Sequence, residues 1–399
     1  MKIMILQKYL SSSGKSRGGS ETQISFIARE MSRRGNEVFL WTLRLDKRLF
    51  PELLNSEYLE IVKGFNSRYY FIDLIKRIKE LKPDVLYSRE PRGLIIYYLI
   101  SKLTRVPLVF HINLDQDRSP FTLNQLIRIL VFGTLLSSKD PEHKEWSKVH
   151  NRILKNKNRF MIFPDWALVS YLNSKFYGVL PQLLVQTKTQ KYFFEEKGFF
   201  PKVVCNAHSF PSEILEKNSP PIVLWVANFR SGLKRPEMFL SLAESLNDTN
   251  AKFVMVGKNY SDSRSKDIIA SVRKLKNLTY LGPLPFDKVN YLFSRSSVFV
   301  NTSWSEGFPN TYIQSWSNSV PVVSLEVDCQ DLLKEEKGGF ISNNFENMCA
   351  DVRKLITDSK LRKRIGKQAR ISAMENFQIE KVGKNYISTF QGVIEQREN

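Results

Sequence analysis

Short apolar runs recur along this chain, each closed by a polar or glycine-rich loop and followed by residues with helical spacing. Lys2–Leu6 reads as a strand, and a Ser/Gly/basic loop follows it. A helix opens near Ser20, with Ile24, Ile27, Ala28 and Met31 on one face and Gly35 as its stop. Glu37–Thr42 is the next strand, and Pro107–Phe110 is another that ends at His111. The second half repeats the scheme. Ile222–Val226 predicts a strand, Asn228–Lys234 a loop, and a helix has Pro236 near its first turn. Phe239, Leu242, Ala243 and Leu246 continue its apolar face. Lys252–Val256, ending at Gly257, Thr279–Leu281, Val298–Asn301 and Val320–Ser324 are further strands. Strands alternating with helical lengths predict an α/β architecture with a parallel, doubly wound sheet in each half.

Length supports two units, because 399 residues exceed what one core usually serves. Pro211–Pro221, Pro-rich and polar-ended, marks the boundary. The expected division is 1–215, 216–375 and an amphipathic C-terminal helix over 376–399. The apolar run Ile3–Leu6 suits a first strand and is too short for a signal peptide. No stretch reaches the roughly 18 apolar residues of a spanning helix. Gly93–Ile100 and Ile129–Leu136 come nearest. Cys205, Cys329 and Cys349 show neither disulfide nor zinc spacing, so a reducing cytoplasm is expected.

Charge changes the picture. A net charge of +20 favours an anionic partner: a nucleic acid, an acidic membrane face or a phosphorylated substrate. The excess is dense at about 118–160, where nine basic residues oppose three acidic ones beside the apolar FTLNQLIRILVFGTLL. Such a segment reads either as an interfacial membrane element or as an inserted helical pair packed on its own domain.

The candidate chemistry centres on EGFPNTYIQSWSNSVPVVS, Glu306 to Ser324. Asn310 has N-cap chemistry before a helical pattern, and the free amides of a first turn suit an anionic group such as phosphate. Glu306 beside them can accept hydrogen bonds from a polyol. A ligand carrying both groups fits, and a nucleotide sugar is one. In VANFRSGLKRPE a strand leads to Asn228, Arg230 and Lys234, with Arg235 as a substitute cation. An Arg fork and a Lys point charge suit a leaving diphosphate. A solvated basic loop is the alternative. Gly18 and Gly19 open the first helix and permit close backbone approach, as a plain turn also would. Asp115 and Asp117 form a DxD, which binds a divalent metal in the other major transferase fold, GT-A. A polar loop after a strand explains it equally well. No GxGxxG is present, and His143, His150 and His208 carry no chemical case.

EGFPNTYIQSW is similar to the signature of retaining glycosyltransferases of family 4. The resemblance covers nearly the whole chain, most firmly Ile222 to Ile341. It implies the GT-B fold: two Rossmann-like parallel-sheet domains facing each other across a cleft, with a last helix crossing back to the first. By resemblance, the first domain takes the acceptor and the second the nucleotide sugar. Arg230 and Lys234 form the diphosphate clamp and Glu306 orients the donor sugar. His111 lies at the sugar side, unless it only satisfies a backbone carbonyl. Gly18, Gly19, Asn228, Gly307, Phe308, Pro309 and Asn310 contribute to donor binding. Val185–Gln190 and Asn206 match structural positions. The family's second Glu, eight positions after the first, is here Gln314. That residue is expected to meet the ribose with one acceptor and one donor rather than a carboxylate.

The implied activity is metal-independent, retaining transfer of a sugar to a glycan or polyprenyl-diphosphate-linked acceptor, in surface polysaccharide assembly. A UDP-sugar is favoured over a GDP-sugar, and no cofactor is implied. The expected location is cytoplasmic, on the inner membrane face. A non-catalytic nucleotide-sugar-binding protein and a basic nucleic-acid-binding protein are the alternatives. The second lacks any recognised motif, and nucleic acid is not the expected partner.

Overall fold

A computed structural model describes residues 1–10, 18–48, 50–54, 57–64, 70–90, 93–112, 181–196, 199–229, 233–260, 262–328, 331–333 and 337–398. The DxD at Asp115 and Asp117, the 118–160 segment, His143, His150, Cys329 and Arg230 lie outside them.

Two parallel sheets carry the architecture. The first runs through β1 (Lys2–Leu6), β3 (Glu37–Thr42), β5 (Leu59–Lys63), β6 (Val85–Ser88), β7 (Leu108–His111), β8 (Gln182–Val185) and β9 (Lys202–Val203). Its spatial order is β5-β3-β1-β6-β7-β8-β9. The second contains β10 (Ile222–Val226), β11 (Lys252–Val256), β12 (Leu278–Tyr280), β13 (Val298–Asn301), β14 (Val322–Ser324) and β15 (Gly339–Ile341), ordered β12-β11-β10-β13-β14-β15. A minor parallel pair, β2 (Tyr9–Leu10) with β4 (Arg44–Leu45), sits apart. Helices cover both faces of the large sheets, so their central strands are apolar throughout instead of alternating. β1 buries everything but Lys2. The chain is an α/β protein with the GT-B fold.

In each sheet the strand order reverses beside the first strand, between β1 and β6 and again between β10 and β13. Crevices at the carboxyl ends of such strands are where open α/β sheets bind ligands. The first core gathers Ile5, Ile27, Leu40 and Tyr87, together with Tyr386, Phe390 and Val393 of the last helix, Ile379–Glu398. That helix therefore packs on the first sheet. The chain crosses between domains where His208 N–H donates to Phe377 O at 2.9 Å and Ile379 N–H to His208 O at 3.1 Å. The Pro-rich stretch is fastened to the second domain by Lys217, whose Nζ donates to Ser294 O at 2.9 Å and Asn318 O at 2.7 Å. Burial, with Arg295 and Arg370 nearby, lowers the Lys217 pKa to about 8.

β7 covers Leu108–His111 rather than Pro107–Phe110, and two further strands differ from the sequence reading. β14 starts at Val322 rather than Val320, because Pro321 has no N–H to donate to the ladder. β12 covers Leu278–Tyr280, one residue earlier than expected, and leaves Leu281 exposed at its end.

Candidate active site

A cavity of about 350 Å³ lies between the two domains at both switch points. Of the residues singled out by sequence, Gly19, Asn228, Lys234, Glu306, Gly307, Phe308, Pro309, Asn310 and Gln314 line it. The first opens the first helix, Gly19–Arg33, the next two come from the loop after β10, and the rest from the segment after β13. Gly19 and Asn310, 291 residues apart in numbering, thus meet because both follow strands at reversal points.

Glu306 is the charged centre. Lys234 Nζ forms an ion pair with Glu306 Oε1, and Ser303 Oγ donates to the same oxygen at 2.7 Å. Both charged side chains are largely shielded, 20% and 17% exposed. Lys234 is held from behind, because its carbonyl accepts from Thr302 Oγ1 at 2.7 Å. Thr302 Oγ1 in turn accepts from Trp225 Nε1 at 2.9 Å. The helix Asn310–Ser317 starts four residues after Glu306, and its first two residues line the cavity. Pro309 occupies its N-cap and supplies no capping side chain. The positive end of that helix is therefore open to an anion.

Asn310 corrects the sequence reading. It is the first residue inside the helix rather than the cap, so its side chain does not turn back to the first-turn amides. It crosses instead to the first domain. Its Oδ1 accepts from Asn206 Nδ2 at 2.9 Å and from Gln23 Nε2 at 3.1 Å, while its Nδ2 donates to Gly19 O at 3.1 Å. A Cβ on Gly19 would lie 2.7 Å from Asn310 Nδ2, so glycine is what lets the domains approach here. Asn206 is oriented by buried Arg89, whose Nη2 donates to Asn206 Oδ1 at 2.6 Å.

Other placements divide the list further. Gln314 donates from Nε2 to Asn290 Oδ1 at 2.8 Å, which turns Oε1 into the acceptor it offers a ligand. Gly18 is not on the cavity wall; its N–H is taken by Glu21 Oε2 at 2.9 Å, in the helix's own first turn. Arg235 is not on the wall either. Its Nε donates to Thr302 O at 2.7 Å and its Nη1 to Glu326 at 2.9 Å, with its backbone at φ 42°. It is a brace, not a substitute phosphate ligand. Thr187 and Gln190 form a capping box at the helix Lys188–Glu195, the structural role expected of that segment.

Two histidines exchange prominence. His111 is fully buried and does not itself line the cavity. Its pKa lies well below the usual value, because burial and then the Arg89 charge disfavour the imidazolium. His208, which sequence left without a case, does line the cavity. Burial lowers its pKa to about 4, against a hydrogen bond to Ser209 O that pulls the other way. Since His208 Nδ1 donates to that carbonyl at 2.6 Å, Nε2 is a bare acceptor, buried and without a partner among the described residues. Arg89, Gln23 and Phe286 are among the other wall residues the sequence reading missed, while Gln186 belongs to the Val185–Gln190 stretch it had read as structural. Gln23 carried a signal: it sits four residues before Ile27, in line with an apolar stripe.

Residues 17–155 match the model of glycosyltransferase family 4, and residues 208–372 that of the glycosyl transferases group 1. The chain belongs to the family 4-type glycosyltransferases. This glycosyltransferase is 20% identical to the N-acetyl-α-D-glucosaminyl L-malate synthase of Bacillus anthracis, over 96% of each chain. It is 24% identical to spore coat protein SA of Bacillus subtilis, over 55% of this chain and 63% of that one. Among solved structures, the Anabaena protein HepE in complex with UDP-glucose superposes with a TM-score of 0.68 at 15% identity, covering 98% of this chain and 100% of that one. Sucrose-phosphate synthase of Thermosynechococcus elongatus superposes with a TM-score of 0.71 at 11% identity, over 99% of both.

Proposed function

We propose that this glycosyltransferase moves a sugar, with retention and without a metal, from a nucleotide sugar to a glycan or lipid-linked glycan. The observation that carries the reading is the Lys234–Glu306 pair at the uncapped start of the helix Asn310–Ser317, inside the interdomain cavity. In this reading the diphosphate lies against the helix amides. Lys234 and Arg230 offset the charge that develops as the glycosidic bond to phosphate breaks. Glu306 holds sugar hydroxyls, Gln314 Oε1 accepts from a ribose hydroxyl, and Asn228 and the Gly307–Pro309 backbone complete the donor site. The departing phosphate oxygen takes the acceptor's proton on the same face of the sugar, so no separate base is required. The complex of a structural neighbour with UDP-glucose supports a UDP-sugar over a GDP-sugar.

Calorimetric titration with UDP, GDP and ADP in EDTA, then with magnesium, tests this. Tight binding of UDP without metal, lost in an Arg230→Ala/Lys234→Ala variant, is the expected result. Binding that required magnesium would move the diphosphate to Asp115 and Asp117 and overturn the metal-independent step.

No helix among the described residues is long and apolar enough to cross a membrane. The net charge of +20 supports an acceptor at an anionic inner membrane face in surface polysaccharide assembly, reached by peripheral binding. Sedimentation with anionic vesicles should show binding that weakens as salt rises; salt-independent binding would count against it.

A further inference from the structure

Arg235 breaks three local rules at once. Its backbone is left-handed, at φ 42° and ψ 57°, a region that residues other than glycine rarely enter. Pro236 follows it, and a residue before proline favours an extended backbone. It also occupies the N-cap of the helix Pro236–Ser245, where a cation meets the positive end of the helix dipole. Local sequence opposes this conformation, so the surrounding structure must hold it.

The support comes from its side chain. Arg235 Nε donates to Thr302 O at 2.7 Å and Nη1 to Glu326 Oε1 at 2.9 Å. Thr302 directly follows β13, and Glu326 lies just past β14. Those strands are the next two after β10 in the sheet, so Arg235 ties the loop after β10 to the carboxyl ends of both. The two residues before it are fastened at the same place. Leu233 O accepts from Trp304 N–H at 2.9 Å, and Lys234 O from Thr302 Oγ1 at 2.7 Å. Of these three consecutive residues only Lys234 lines the cavity, where its Nζ pairs with Glu306. The helix that follows is anchored in the second core by Phe239 and Leu242. A change of φ or ψ at Arg235 therefore swings the loop that carries Lys234.

We propose that Arg235 is a positioning residue, whose guanidinium holds the left-handed turn that presents the Lys234 ammonium to Glu306 and to the donor diphosphate. The proposal rests on the reading of Lys234 as the cation that offsets the leaving charge. The geometry calls for an arginine. Nε and Nη1 reach two anchors from one planar group, which the single ammonium of lysine does not reproduce. Arg235 does not itself line the cavity, and its Nη2 is buried without a partner among the described residues, so its effect on the ligand runs through Lys234.

The test is Arg235→Gly. Glycine adopts the left-handed region at no steric cost but makes neither side-chain bond. The variant should melt within about 3 °C of wild type. Its kcat should fall about 10- to 30-fold, with the donor KM changed less than about threefold, as expected when a reacting geometry is loosened. Arg235→Lys should lose as much kcat. In Lys234→Ala/Arg235→Gly, kcat should match that of Lys234→Ala alone, because one residue acts through the other. Losses that multiplied would mean that Arg235 meets the ligand itself, and would overturn the proposal. A second readout needs no substrate. Lys234 is acylated with an amine-reactive ester and followed by mass spectrometry, with the exposed Lys252 as reference. The ion pair and 20% exposure make Lys234 slow in the wild type. Arg235→Gly should speed its acylation about fivefold or more and leave Lys252 unchanged. An unmoved Lys234 rate overturns the positioning role, and so does a rise at both lysines, which would mark a general loosening. A protein that transferred no sugar but showed the faster Lys234 acylation would end the glycosyltransfer reading and leave the positioning of Lys234 standing.

Discussion

Lys234→Ala is expected to lower kcat for sugar transfer by about 10²- to 10³-fold, the loss typical when one preorganised group facing developing charge is removed. The variant removes one cation of the proposed diphosphate site. It also leaves Glu306, whose side chain is only 17% exposed, with Ser303 but no cation among the described residues. Breaking one side of a shielded ion pair is more harmful than removing both. The Lys234→Ala/Glu306→Ala variant should therefore recover thermal stability without recovering activity. Steady-state kinetics beside thermal melts check this. A Lys234→Ala enzyme within about threefold of wild type in kcat would sink the charge-offsetting role, and so would a double variant that regained turnover. Arg235, the neighbouring cation, does not compensate in this account, because Thr302 O and Glu326 already hold it away from the cavity.

Gly257→Ala should destabilise the second domain by about 3 kcal/mol or more and abolish nucleotide binding. Gly257 directly follows β11 with φ 149°, and a Cβ there would lie 1.7 Å from Ala227 O. Neither side can give way easily. Gly257 N–H donates to Gly282 O at 3.0 Å, Gly257 O accepts from Tyr280 Oη at 2.8 Å, and Ala227 N–H donates to Val256 O at 3.0 Å. For a domain of this size the loss corresponds to a drop of roughly 10 °C in melting temperature. Gly282→Ala is the control. It also has positive φ, at 70°, but a Cβ there meets nothing within 4 Å, so only the backbone cost of about 1–2 kcal/mol applies. Calorimetric scans of both variants decide it. A Gly257→Ala melt within about 2 °C of wild type would show that the two strand ends are not packed as described.

Much of the fold was legible because it is written locally. Lys2–Leu6, Glu37–Thr42, Ile222–Val226, Lys252–Val256 and Val298–Asn301 form strands with the bounds their apolar runs predict. A central parallel strand is buried on both faces, so its whole length must be apolar and its ends stand out against polar loops. The Glu306–Asn310 turn and Lys234 were legible for a related reason: charged residues at the carboxyl ends of such strands face the crevice.

Sequence alone determined two α/β halves, their central strands and the Lys234–Glu306 pair that meets in the cavity. Tertiary structure alone decided which polar residues lie inside. Asn310 looked like a cap, but Pro309 took that position and left its amide to Asn206, Gln23 and Gly19 across the cleft. His208 looked unremarkable until the crossing of the chain between domains placed it on the wall. Arg89 and Tyr386 are 297 residues apart, and their meeting with His111 depends on the last helix returning to the first sheet. Apolar periodicity is a property of neighbouring residues and survives in the sequence. A buried polar group is fixed by partners that satisfy its hydrogen bonds, and here those partners come from the other domain or the far end of the chain.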